Sequence, residues 1–176
     1  MPATSSELKA LHTGSEIAAR VQDLAARISQ DYAGKELHLV CVLENAFVFA
    51  ADLVRELHGQ VLVSFVRSDK RQLQMGDQLR TEIFFAPQAD VHGHDILLVE
   101  GLIASGQTSD FLARTFLSRG AASVKHCTLL SRRSARTTEL EPQYVAFEID
   151  ADFVVGYGLG NPYGRNLSYL AAADRR

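Results

Sequence analysis

Apolar residues in this chain gather into short continuous runs and into stripes of helical period. Leu37–Leu43, Val61–Val66, Ile96–Val99, Val124–Leu130 and Tyr144–Ile149 are runs with little polar alternation. Such runs predict strands covered on both faces. Between them the period lengthens. Ile17, Val21, Leu24, Ala25 and Ile28 form a stripe on a helix expected from Ser15 to about Tyr32, with Ser15 and Glu16 as its cap. Phe47, Phe49, Ala50, Leu53, Val54 and Leu57 do the same for a helix over Ala46–Leu57, which Gly59 ends. Phe111, Leu112, Thr115 and Phe116 share one face of a third helix, and Gly120 sits just past its end as a cap residue. Strands alternating with helices predict an α/β fold, a Rossmann-like parallel sheet with helices on both faces. Ligands of such sheets lie beyond the carboxyl ends of the strands. Glu44, Gly101, Ser131 and the loop after Ile149 should therefore meet at one edge.

Other stretches carry no such period. Residues 1–14 read as a flexible N-terminus, followed by a single domain over 15–176. Arg67–Arg80 is polar throughout and reads as a loop longer than usual, of the kind that serves as a mobile lid. Thr81–Ala86 reads as a further strand, antiparallel at an edge. From Phe153 the chain becomes rich in Gly, Asn and Tyr, a C-terminal segment expected to form a small hood with the N-terminus.

Composition narrows the function classes. The chain has 176 residues, 47% of them hydrophobic, enough for one real core. Net charge is −3 with both signs scattered, which argues against a nucleic-acid partner. No apolar stretch is long enough to span a bilayer, and no signal-peptide core opens the chain, so a cytoplasmic location without membrane contact is expected. Cys41 and Cys127 lie in strand-like runs and read as buried reduced thiols. His12, His38, His58, His92, His94 and His126 show no metal-ligand spacing, and His92 and His94 flank a turn.

The chemistry concentrates at Asp95–Ser118, where a strand, a tight hydroxyl-bearing loop and a helix start follow one another. The first N–H groups of a helix lack intrahelical partners, and the helix dipole adds partial positive charge there. Gly106 allows close approach to the backbone, and Ser105 and Thr108 bring hydroxyls, which suits a phosphate. The same residues also suit an ordinary turn in which Thr108 caps the helix.

The string ILLVEGLIASGQT resembles the phosphoribosyl pyrophosphate signature of type I phosphoribosyltransferases: four apolar residues, two acids, two apolar residues, then Asp-Ser/Thr-Gly-x-Thr. From about Ile17 to Tyr169 the chain resembles the hypoxanthine(-guanine) phosphoribosyltransferase family. The matches include Leu43 with Phe47-x-Phe49-Ala-Ala-Asp52-Leu53-x-Arg55-Glu56, Cys127-Thr128-Leu129-Leu130, and Asp152-Phe153-Val154-Val155-Gly156-Tyr157-Gly158. The resemblance implies transfer of phosphoribose from its pyrophosphate donor to hypoxanthine or guanine with Mg²⁺, giving IMP or GMP. It also implies a homo-oligomer, dimer or tetramer.

Carried over residue by residue, the resemblance gives two groups. Ser105, Gly106, Gln107 and Thr108 match the cradle for the nucleotide 5′-phosphate. Phe153 matches the aromatic that stacks on the purine, with a core aromatic as the lesser alternative. Val154 matches the residue whose backbone reads the purine edge. Arg132 stands where the family has a lysine contacting the purine carbonyl, and a planar guanidinium is not a point-charge replacement. Arg165 matches an arginine of the C-terminal segment, with the spacing before it one residue short.

The second group departs from the family. Glu44-Asn45 replaces the Arg/Lys-Gly of the pyrophosphate loop. A carboxylate there should repel pyrophosphate by about 4 kcal/mol per charge pair at intermediate dielectric. Glu100 is retained, but Gly101 replaces the second acid that holds the ribose hydroxyls and the metal-bound donor. Ala104 replaces the Asp expected as general acid/base, a loss worth roughly 10²–10⁴ in rate. Gly160 replaces an Asp that helps hold a second Mg²⁺, and the lid's Ser-Tyr pair is absent from Arg67–Arg80.

These departures fall on pyrophosphate, metal and proton transfer. They predict a pseudoenzyme that binds GMP or IMP without metal, with transfer weak or lost. A genuine but slow salvage transferase using Mg²⁺, with Glu100 alone on the ribose, is the alternative. A structural or regulatory subunit of an active paralogue is a further one. On this reading, restoring the family's residue types together, with Glu44→Arg, Asn45→Gly, Gly101→Asp, Ala104→Asp and Gly160→Asp, should recover some transfer.

Overall fold

The computed structural model describes residues 8–75, 78–85, 90–160 and 164–173. Two sheets form. The larger is built from β2 (Glu36–Leu43), β3 (Gln60–Met75), β4 (Gln78–Phe85), β5 (Asp95–Ile103), β6 (Ser123–Ser131) and β7 (Tyr144–Glu148), in the order β4-β3-β2-β5-β6-β7. Neighbours from β3 to β7 are parallel, and β4 adds to the edge antiparallel to β3. The smaller sheet joins β1 (Lys9–His12), β9 (Leu170–Ala172) and β8 (Val154–Val155) and forms the hood.

The continuous apolar runs are explained by cover on both faces. In β2 and β5, Leu39, Cys41, Leu97 and Val99 pack in a core with α1 (Gly14–Asp31) and α2 (Phe47–Glu56). Their neighbours Val40, Val42, Ile96 and Leu98 pack on the other side with Leu112 and Phe116 of α3 (Gln107–Ser118). One residue of register separates the two cores, so a slip would exchange them. Both cysteines are free and buried, and burial pushes the Cys41 thiol up to about 12. No helix among the described residues is long and apolar enough to cross a membrane.

Four expectations are corrected. The first lies at the N-terminus, where Lys9–His12 is not frayed: it pairs antiparallel with Leu170–Ala172. The second is the helix start. Thr13, not Ser15, caps α1, in a reciprocal box where Glu16 N–H donates to Thr13 Oγ1 and Thr13 N–H donates to the Glu16 carboxylate. The third is the polar stretch after Val66. β3 runs on to Met75 and pairs with β4 from Ser68↔Phe85 to Met75↔Gln78, so most of Arg67–Arg80 is hairpin rather than lid loop. Backbone pairing holds it, and that leaves no apolar period to read. The fourth is α3, where Ser109 replaces Phe111 on the buried face and Phe111 stays exposed.

His126 on β6 is 2% exposed, and its Nδ1 is a buried atom without a hydrogen-bond partner. Burial, with Arg136 nearby, lowers its pKa from 6.5 to about 4 against the opposing pull of Asp110. Between those pH values the unfolded chain takes up a proton that the folded chain refuses. The stability present above pH 6.5 should therefore fall as pH drops toward 4, by about 3 kcal/mol at most. Urea denaturation at pH 7.5, 6 and 5 should show that slope, and His126→Gln should flatten it.

Candidate functional site

The carboxyl ends of β2, β5, β6 and β7 line up at Leu43, Ile103, Ser131 and Glu148. Two adjoining cavities open along that edge. One, of about 160 Å³, is bordered by Leu43, Asn45 and Gly101; the other, of about 120 Å³, by Ala104, Ser105 and Gly106. Glu100, Leu102 and Thr108 border both. Glu100 is 6% exposed, which places a nearly buried carboxylate where the two spaces meet.

The turn into α3 is built around Gly106. It is the N-cap with φ 80, a left-handed conformation, and its side makes no capping bond. Thr108 lies within the first turn of α3 and is not the cap. The first intrahelical bond along this turn is Asp110 N–H to the Gly106 carbonyl, 2.9 Å, so the amides before it face the turn. Gln107 N–H reaches Ser105 Oγ at 3.4 Å.

A second loop walls this turn, and it was not singled out in the sequence. Arg136, after a 3₁₀ turn at Arg133–Ala135, donates from Nε to the Ala104 carbonyl at 3.0 Å. Its Nη1 donates to the Leu140 carbonyl at 2.7 Å and its Nη2 to Ser131 Oγ at 3.2 Å. Thr137 N–H donates to the Ser105 carbonyl at 3.0 Å, and the hydroxyls of Thr137 and Thr138 reach the same oxygen at 3.3 and 3.4 Å. A Cβ on Gly106 would lie 2.4 Å from Thr138 Oγ1. The available clue was Arg136 itself, an arginine one helical turn beyond Arg132 in a polar stretch at the sheet's carboxyl edge.

Arg132 is brought to the segment that precedes Phe153. Its Nη1 donates to the carbonyls of Ala151, at 3.3 Å, and Asp152, at 3.1 Å, and to Asp152 Oδ1 at 3.0 Å. Phe153 is half-buried, and its carbonyl accepts from Ala173 N–H at 3.0 Å. Val154 is buried in β8, opposite Ala172. Arg132, Phe153 and Val154 thus lie next to one another at the hood, with the guanidinium engaged by the chain's own oxygens.

The positions that depart from the family pattern are tied together in space. Arg165 donates from Nε to the Gly160 carbonyl at 2.6 Å and from Nη1 to Glu44 Oε2 at 3.1 Å. Arg67 Nη2 stands 3.6 Å from Glu44 Oε1. The Glu44 carboxylate is therefore not the bare repelling charge expected from sequence, because two guanidinium groups answer it. At Gly101 an added Cβ would lie 2.4 Å from the Asn45 carbonyl oxygen and 2.9 Å from Leu159 Cδ2. The bare backbone there is what lets the Glu44-Asn45 loop sit against β5.

The donor set does not suit a magnesium ion held by the protein. Mg²⁺ asks for hard carboxylate oxygens. Glu100 supplies one carboxylate, while Gly101, Ala104 and Gly160 supply none. Among the described residues no three His, Cys, Asp or Glu side chains gather closely enough to hold an ion.

Comparison with known proteins places this arrangement. The phosphoribosyl transferase domain family matches residues 7–161. The hypoxanthine-guanine phosphoribosyltransferase of Mycobacterium tuberculosis is 35% identical over 173 residues, covering 94% of this chain and 86% of that protein. A crystal structure of a hypoxanthine phosphoribosyltransferase from Staphylococcus aureus superposes with a TM-score of 0.85 at 27% identity, covering 94% of this chain and 91% of that one. One of a hypoxanthine-guanine phosphoribosyltransferase from Bacillus anthracis gives 0.80 at 31%, covering 93% and 96%. Likeness of this extent, on a parallel sheet whose central strand runs into that glycine turn, makes the chain a member of the type I phosphoribosyltransferases, in their hypoxanthine-guanine family.

Proposed function

We propose that this protein binds a purine nucleoside monophosphate, GMP or IMP, and transfers phosphoribose weakly or not at all. The observation that carries the reading is an uneven one. The turn at Ser105–Thr108 starts on a left-handed glycine and is walled by Arg136, Thr137 and Thr138. The acids for proton transfer and metal are absent at Gly101, Ala104 and Gly160. The 5′-phosphate would sit on the amides and hydroxyls of Ser105, Gly106, Gln107 and Thr108, which needs no metal. The purine would stack on Phe153, with the Val154 backbone and Arg132 at its edge. The family relationship supports a homo-oligomer, dimer or tetramer, in the cytoplasm.

Glu100 favours a second reading, a slow transferase of purine salvage that uses Mg²⁺. Its carboxylate borders both cavities and could hold ribose hydroxyls alone. Pyrophosphate release from hypoxanthine, the phosphoribosyl donor and Mg²⁺ separates the two. Release at or barely above the uncatalysed rate, unchanged in Glu100→Gln, is expected. Steady release that falls further in Glu100→Gln would establish the slow enzyme instead.

A further inference from the structure

Three charged side chains from distant parts of the chain converge outside the monophosphate turn. Arg67 is the last β3 residue paired with β2, opposite Leu43, so it stands beside the start of the Glu44 loop. Arg165 arrives from the C-terminal segment, 121 residues from Glu44. Each guanidinium faces a different oxygen of the one carboxylate: Arg165 Nη1 is 3.1 Å from Oε2 and Arg67 Nη2 is 3.6 Å from Oε1. Arg165 is aimed there by a separate bond, Nε to the Gly160 carbonyl at 2.6 Å, and its side chain is 29% exposed. The Glu44 side chain is 52% exposed and lies beside the cavity bordered by Asn45 and Gly101.

Two guanidinium groups turned on one point form an anion site, since their donors match carboxylate and phosphate oxygens alike. Here the anion is part of the chain. A tethered carboxylate competes at an effective concentration in the millimolar range or above, and a free anion must displace it. The loop that carries it lies against β5, with the Asn45 carbonyl where a Gly101 side chain would be. We infer that Glu44 is a built-in occupant of an anion site made by Arg165 and Arg67, and that it excludes pyrophosphate-like anions from the mouth of the pocket.

The inference goes beyond monophosphate binding and does not depend on it. Inorganic pyrophosphate, titrated calorimetrically at constant ionic strength without divalent metal, is the probe. The natural chain should show no saturable binding at millimolar pyrophosphate. Glu44→Gln, which keeps the side chain's size and removes its charge, should bind at least tenfold more tightly, and Glu44→Ala, run in parallel, should do the same. Adding Arg165→Gln to Glu44→Gln should abolish the gain. Equal pyrophosphate affinity in the natural chain and both Glu44 variants would overturn the inference, as would a gain that persists without Arg165. A GMP titration of the natural chain reports separately on the monophosphate turn, so either conclusion can fail alone.

Discussion

Gly101→Asp should destabilise the fold by about 3 kcal/mol and restore no transfer. The position is where the family carries its second acid, and sequence alone makes it the obvious residue to put back. The geometry opposes this. A Cβ at 101 would lie 2.4 Å from the Asn45 carbonyl oxygen and 2.9 Å from its carbon, which are backbone atoms that cannot rotate away. Relief requires moving the Glu44-Asn45 loop and so breaking the Glu44 contacts to Arg165 and Arg67. Forcing extra atoms into a closed contact typically costs 1–3 kcal/mol, about the upper end where backbone must shift. Urea denaturation of the variant gives the number, and Gly101→Ala should lose nearly as much. Natural stability in both would show that the loop yields freely. That clash belongs to the single change; in the combined restoration Glu44→Arg and Asn45→Gly alter the same loop, so recovery of some transfer remains the expected result for that variant alone.

The second large effect is at Gly106. Gly106→Ala places a methyl at φ 80, at the N-cap of α3, and 2.4 Å from Thr138 Oγ1. The left-handed conformation costs about 1–2 kcal/mol for a residue with a side chain. The contact also drives Thr138 and Arg136 away from the turn. GMP affinity should fall at least about tenfold, a change of roughly 1.4 kcal/mol. Thr138→Ser, which keeps the hydroxyl, should leave GMP affinity within about twofold. Titration calorimetry on the two variants decides the matter, and undiminished GMP affinity in Gly106→Ala would remove the turn from the binding site.

Most of the sheet was legible because its strands are covered on both faces. The runs at Leu37–Leu43 and Ile96–Val99 could only be buried strands, and the α1 and α2 stripes could only face them. The turn at Gly106 was legible because a glycine between a strand and a helix has few other uses. What was not legible is what depends on partners far along the chain. The β1–β9 pairing joins Lys9 to Ala172, and neither segment has an apolar period of its own. The β3–β4 hairpin rests on backbone hydrogen bonds, which leave no trace in hydrophobic spacing. The partners of Glu44 were hidden for the same reason. Seen alone, Glu44 is a misplaced charge; its meaning comes from Arg165, and Gly101 takes its meaning from Asn45. Departures that look independent in sequence are joined in the fold, Glu44 to Gly160 through Arg165 and Gly101 to the same loop.

One measurement bears most directly on the claim that a metal-free grip on the monophosphate outlasts the transfer chemistry. It is calorimetric titration of GMP into the purified chain, first in excess EDTA and then in millimolar Mg²⁺. Saturable binding of equal affinity in the two buffers is the expected result. Binding that appears only with Mg²⁺, or none at millimolar GMP in either buffer, would contradict it.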